Sequence, residues 1–71
     1  MQRQTRLKLA IVERGLKNYE VAHRANEYLE TGEELNENAI TRIITGRMIP
    51  SAPHRFALAR ALGYDERALF A

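Results

Sequence analysis

The chain has 71 residues and a formal net charge of +2, from eleven lysines and arginines against nine acidic residues. This length limits it to one domain, with a core barely large enough for independent folding. The sequence contains no cysteine, which excludes a disulfide framework and a thiolate metal site, so packing alone must stabilise the fold.

The sequence predicts an all-α bundle of about five helices in the single domain 1–71. The first two are expected near 5–15, ending at the C-cap Gly15, and 18–31, with Asn18 as N-cap. Both predictions rest on apolar residues at three- and four-residue spacing. In the second helix this spacing runs from Val21 to Tyr28 and Leu29, so those two side chains are expected to be buried.

The remaining helices are predicted near 36–45, 52–62 and 65–70, capped by Asn36, Ser51 and Asp65. The sequence has no alternating apolar run and no Asn-Gly or Asp-Gly turn, so no strand is expected. The predicted core residues are those on the inner helix faces: Leu7, Ile11, Val21, Ala22, Ile40, Ile43, Ile44, Phe56, Ala59, Leu62 and Leu69.

The sequence lacks the residues that several classes of function require. The two histidines, His23 and His54, are too far apart to suggest zinc ligation and are expected to be ordinary surface or helix-end residues. No nucleophile-base pair, paired carboxylates or phosphate-binding glycine loop is present, so neither an enzyme nor a cofactor is predicted. No apolar run reaches membrane-spanning length, and the first six residues do not lead into the apolar stretch of a signal peptide, so a cytoplasmic protein is expected.

The charges are unevenly distributed. Four of the nine acids lie in one eight-residue stretch, at Glu27, Glu30, Glu33 and Glu34. The rest of the chain therefore carries eleven basic residues against five acids, which predicts a basic surface and favours a polyanionic partner.

The order of sequence fragments resembles the Cro and lambda-repressor-like helix-turn-helix family, also called the Xre family. Residues 15–22 (GLKNYEVA) are similar to the family's entry into the first helix of the motif. Residues 36–46 (NENAITRIITG) are similar to its recognition helix and closing glycine. Residues 50–51 (PS), 58–64 (LARALGY) and 69–70 (LF) resemble the fourth and fifth helices, so the resemblance covers about residues 7–70.

Two features depart from the family pattern. Residues 26–35 are about eight residues longer than the family's tight turn, so the motif is expected to be lengthened between its two helices. Many relatives also pair an arginine and a glutamate in the core, where this chain has Ile11 and Ile44. Apolar residues at such positions avoid the desolvation of a buried ion pair, so the fold is expected to tolerate the change.

The resemblance implies sequence-specific binding of double-stranded DNA by a small transcriptional regulator, phage-like or bacterial and repressor-like, whose helix 36–45 enters the major groove. The residues at the family's base-reading positions are Glu37, Asn38 and Arg42. The residues at or near its phosphate-contacting positions are Lys17, Asn18, Asn36, Thr45 and Arg47. Relatives commonly bind palindromic operators as homodimers, and the same is expected here.

The alternative is an antitoxin-like or adaptor protein that keeps this fold and binds a protein partner through the extension at 27–35 and the C-terminal helix. Four carboxylates beside phosphates would be repelled, so the acidic stretch is expected to project away from DNA. The two functions are compatible, because they use different parts of the chain.

Overall fold

The computed structural model describes residues 4–70, and this part of the chain contains five α-helices, one 3₁₀ turn and no strand. The α-helices are α1 (Thr5–Glu13), α2 (Asn18–Ala25), α3 (Glu37–Ile44), α4 (Ala52–Leu62) and α5 (Glu66–Phe70), and the 3₁₀ turn is Asn26–Tyr28. The predicted all-α bundle is confirmed. Residues 1–3 and 71 of the predicted domain lie outside the described residues.

Helix α2 is the centre of the bundle. It packs against α3 and against α4, while α5 contacts both α1 and α4. Val21 and Ala25 on α2 are completely buried, and Ala22 is nearly so. The two alanines allow the neighbouring helices to approach α2 closely, so α2 separates α3 from α4 and fixes both. None of the helices in residues 4–70 combines the length and the hydropathy needed to cross a membrane.

Most of the predicted core is buried, and two of its residues are not. Leu7, Ile11, Val21, Ala22, Ile40, Ile43, Ala59, Leu62 and Leu69 are buried as predicted, together with Ala10, Ala25, Leu35, Ala57 and Leu58. Phe56, however, is 51% exposed, and Ile44 is only partly buried. Helix α4 is apolar on several sides, so spacing alone did not distinguish its inner face. Ala57 and Leu58 are buried instead, so the preceding residue, Phe56, is exposed to solvent.

The prediction that the second helix runs to residue 31 is wrong. Helix α2 ends at Ala25, and the side chain of Asn26 then clamps Leu35: its Nδ2 donates to the Leu35 carbonyl at 2.9 Å, and its Oδ1 accepts from the Leu35 amide at 2.7 Å. Leu35 is 4% exposed and belongs to the core. Tyr28 is instead 43% exposed, and Leu29 is partly buried. The helix therefore ends earlier than the spacing of apolar residues predicts, because Asn26 binds the backbone of Leu35 and Leu35 is buried in the place expected for Tyr28.

The start of α2 also differs from its prediction. Lys17, not Asn18, is the N-cap, and its backbone amide donates to Oε1 of Glu20 at 2.9 Å. Lysine has no acceptor, so only the acidic half of a capping box is present. Asn18 is therefore the first helical residue, and its side chain is available for another contact.

The ends of α4 and α5 are held by polar contacts. The hydroxyl of Tyr64 donates to Glu13 on α1 at 2.8 Å, and the guanidinium of Arg14 lies 4.9 Å from the Tyr64 ring centre. The hydrogen bond to Glu13 raises the pKa of Tyr64 above 10.0. Between α4 and α5, Arg55 contacts Glu66 at 3.1 Å. These contacts anchor the short last helix to the bundle.

Truncation of Leu35 tests its assignment to the core. We expect Leu35→Ala to lower the free energy of unfolding by about 2–5 kcal/mol, because it leaves a cavity beside α2. Leu9→Ala is the matched control, since Leu9 is 61% exposed and its loss should cost well under half as much. Urea denaturation followed by circular dichroism measures both. Equal destabilisation by the two variants would contradict the burial of Leu35.

Candidate nucleic-acid interface

Helix α3 has a buried side and a polar, exposed side. Ile40 and Ile43 are completely buried, which fixes the rotation of the helix. The exposed residues recur at helical spacing and form one stripe, hereafter the α3 stripe: Glu37, Asn38, Thr41, Arg42 and Thr45. The structure therefore brings together the three predicted base-reading residues. Thr41 was missed by the sequence analysis, although its position four residues from Glu37 and from Thr45 signals the same face.

The first turn of α3 is stabilised by its predicted cap. Oδ1 of Asn36 accepts a hydrogen bond from the backbone amide of Ala39 at 2.8 Å. No described residue accepts from Nδ2 of Asn36, and the side chain is exposed. Asn36 thus caps the helix with its oxygen and keeps an N–H donor at the end of the stripe, where the helix dipole is positive.

The start of α2 is tied to the middle of the α3 stripe. Nδ2 of Asn18 donates to Oγ1 of Thr41 at 3.2 Å, and the Thr41 hydroxyl donates to the carbonyl of Glu37 at 3.2 Å. The hydroxyl is thereby used both as acceptor and as donor. This pair of bonds fixes the Asn18 carboxamide beside α3 and leaves its second N–H available. The exposed Lys17 adds a cation next to it.

The end of α3 presents a second group of polar residues. Gly46 has φ +81°, and the amide of Arg47 then reaches back to the carbonyl of Arg42 at 2.8 Å. The Arg47 side chain is exposed. The hydroxyl of Thr45 donates to the carbonyl of Thr41 at 3.0 Å, so it presents lone pairs rather than a free donor. The Thr45 hydroxyl is thus less suited to donate a hydrogen bond to a phosphate than the position of the residue predicted.

Helix α1 contributes a residue that the sequence analysis missed. The backbone amide of Gln4 donates to the carbonyl of Ile44 at 2.9 Å, which joins the start of α1 to the end of α3. A shallow cleft of about 280 Å³ lies at this junction and is lined by Thr5, Lys8, Ile44 and Thr45. Lys8 is exposed and adds a positive charge there. Only the tertiary contact between α1 and α3 reveals it.

The eight predicted contact residues lie on one side of the α2–α3 pair or at its ends. Seven are exposed, and Asn18 is half-buried because it contacts Thr41. The acidic segment, residues 27–34, ends two residues before Asn36, and it is also bound to α4: the carbonyl of Glu33 lies 2.9 Å from Nε2 of His54, in the first turn of that helix. Glu37 is then the one acid on the α3 stripe. Within residues 4–70, no group of three or more His, Cys, Asp or Glu residues is arranged to hold a metal.

Comparisons of the chain with protein-family models, with curated proteins and with solved structures find no match. The function of this face therefore has to follow from its own geometry and charge.

Removal of the α3 cap should destabilise the protein measurably. We expect Asn36→Ala to lower the free energy of unfolding by about 0.5–2 kcal/mol, because the amide of Ala39 loses its acceptor. Asn38→Ala is the matched control: the residue is exposed two positions later and should change stability by less than about 0.5 kcal/mol. Thermal and urea unfolding report both values. A silent Asn36→Ala variant would contradict the cap.

Proposed function

We propose that this protein binds specific sequences of double-stranded DNA as a small transcriptional regulator of the phage-like or bacterial repressor type. In this proposal α2 and α3 act as a lengthened helix-turn-helix, and α3 enters the major groove. The observation that carries the proposal is the α3 stripe, with the start of α2 bonded to its centre through Asn18 and Thr41. Such a regulator acts in the cytoplasm and needs no cofactor or catalytic step.

The chemistry of the α3 stripe suits base recognition. An α-helix fits the major groove, and side chains in its first turns reach the base edges. Arg42 matches the two acceptors of guanine, Asn38 matches the acceptor and donor of adenine, and Glu37 accepts from the amino group of cytosine. These three residues are the ones that the resemblance to the Cro and lambda-repressor-like family assigns to base reading.

The flanking residues suit phosphate contacts. Lys17, Asn18 and Asn36 lie near one end of α3 or beside its middle, and Arg47 lies beyond its other end. Contacts of this kind set the register of a protein on the duplex without reading its sequence. The Thr45 hydroxyl already donates a hydrogen bond to the Thr41 carbonyl, so we expect Lys8 and Arg47 to contribute more than Thr45 to the attraction of phosphates.

A homodimer on a palindromic site fits the size of the protein. One domain of this size presents few base-reading residues, which limits its specificity as a monomer. Two copies would double the number of base contacts and match the two-fold symmetry of a palindrome. Selection of binding sites from random DNA tests the proposal directly, since recovery of a discrete site supports it and recovery of none refutes it.

A second candidate function, as an antitoxin-like or adaptor protein, is favoured by one specific observation. Phe56 on α4 is 51% exposed, and the acidic segment is bound to the first turn of the same helix. A large exposed aromatic beside a charged segment is typical of protein-binding surfaces. Since α2 lies between α3 and α4, the DNA and protein functions are compatible.

Two arginines should separate base reading from phosphate binding. We expect Arg42→Ala to cost about 1–3 kcal/mol of binding free energy on the selected site and to relax preference at one base position. Arg47→Ala should weaken binding to all sequences alike and reduce the salt slope by about 1. Fluorescence anisotropy with the site and its single-base variants measures both effects. Arg24→Ala removes the same charge from the far end of α2 and serves as control.

The bond between Asn18 and Thr41 should contribute to DNA affinity. Thr41→Val keeps the shape but removes the hydroxyl that positions Asn18, and we expect a loss of about 0.5–1.5 kcal/mol in binding free energy. In a double-mutant cycle, Asn18→Ala should cost clearly less in the Thr41→Val background than in the parent protein. Strict additivity would mean that Thr41 does not act through Asn18.

A further inference from the structure

One side of helix α4 is exposed to solvent and is not part of the proposed DNA interface. Pro53, Phe56 and Arg60 are exposed at helical spacing, while Ala57 and Leu58 beneath them are buried. The guanidinium of Arg60 lies 5.7 Å from the ring centre of Tyr28, which is 43% exposed. Arg60 thus lies against the Tyr28 ring, four residues after the exposed Phe56 on the same helix. This surface of Pro53, Phe56, Arg60 and Tyr28 is hereafter the α4 face.

The acidic segment borders the α4 face in a defined conformation. The Asn26–Leu35 clamp closes its base, and His54 binds its Glu33 carbonyl at 2.9 Å. Its own carboxylates accept from its backbone: Glu34 from the amide of Gly32 at 2.7 Å, and Glu33 from that of Glu30 at 3.4 Å. Two of the four carboxylates, Glu33 and Glu34, are therefore arranged before any partner binds, which lowers the entropy cost of an encounter.

Among the residues that the structure describes, these carboxylates form no salt bridge. The one salt bridge among the described residues joins Arg55 and Glu66, on the α5 side of α4. Glu27, Glu30, Glu33 and Glu34 make none within residues 4–70. The neighbourhood combines exposed aromatic surface with four carboxylates against two nearby cations, Arg24 and Arg60. The surplus of negative charge complements a partner that is apolar on one side and basic on its edges.

We propose that the α4 face, with the acidic segment as its border, is a docking surface for a basic amphipathic helix of another protein. Leucine-like side chains of that helix cover Phe56 and Tyr28, and its lysines and arginines meet the carboxylates of the segment. A second copy of this chain fits less well, since a two-fold pairing through this face would place the two acidic segments against each other and their like charges would repel. Helix α2 separates this face from α3, so the docking does not depend on DNA binding.

The test uses two labelled peptides, each about four turns long. Both have leucines at three- and four-residue spacing, with lysines at the other positions of the first peptide and glutamates at those of the second. We expect the full-length protein to bind the basic peptide and not the acidic one, and added salt to weaken the binding. Phe56→Ser and the pair Glu30→Gln with Glu34→Gln should each weaken it at least about fivefold.

Val12→Ser is the matched control, because Val12 is 62% exposed on α1, and it should leave peptide affinity unchanged. The Glu30→Gln and Glu34→Gln protein should keep its DNA affinity at moderate salt, and Arg42→Ala should keep its peptide affinity. Failure of DNA binding in the parent protein would thus leave the peptide result intact. Equal binding of both peptides, an unaffected Phe56→Ser variant, or self-association that Phe56→Ser abolishes would overturn the proposal.

Discussion

The packing of α2 between α3 and α4 is the constraint on which the rest of the structure depends. Val21 and Ala25 are completely buried, and they are small enough to let a helix approach from each side. In a domain with no disulfide, few other contacts are available to replace this packing. A larger residue at Ala25 would push a neighbouring helix outward and change the position of the α3 stripe.

The clamp between Asn26 and Leu35 extends this constraint to the segment between α2 and α3. The Asn26 carboxamide bonds both the amide and the carbonyl of Leu35, so these two polar groups at the edge of the core are satisfied. Leu35 then enters the core, one residue before Asn36, the N-cap of α3. The long connection consequently behaves as a structured loop with a fixed base rather than as a flexible insertion.

Separation of charge follows from the same arrangement. Four of the exposed cations, Lys8, Lys17, Arg42 and Arg47, lie on or around the α2–α3 side, whereas the acidic segment is bound to α4 and lies near Arg24 and Arg60. A polyanion near α3 would meet mainly positive charge. We infer that the lengthened connection carries acids without obstructing a DNA interface, and that it creates a second surface in doing so.

The sequence by itself determined the helical class of this protein and the register of α3. Ile40 and Ile43 specify its buried side through helical spacing, and Asn36 specifies its start through hydrogen bonding within one turn. Both signals are local, so they required no knowledge of the neighbouring helices. The family resemblance named four of the five polar residues of the stripe and missed Thr41, and the ligand of the stripe is a proposal.

Only the tertiary structure decided the end of α2, the exposure of Phe56 and Tyr28, and the nearness of Lys8 to Thr45. Each depends on residues far apart in the chain: Leu35 replaces Tyr28 in the core, and the α2–α4 contact selects Ala57 and Leu58 over Phe56. Helical spacing identifies an apolar face, but it does not say which of two adjacent faces a neighbour will cover. That choice depends on packing among all five helices, because close-packed interiors admit few arrangements of side chains.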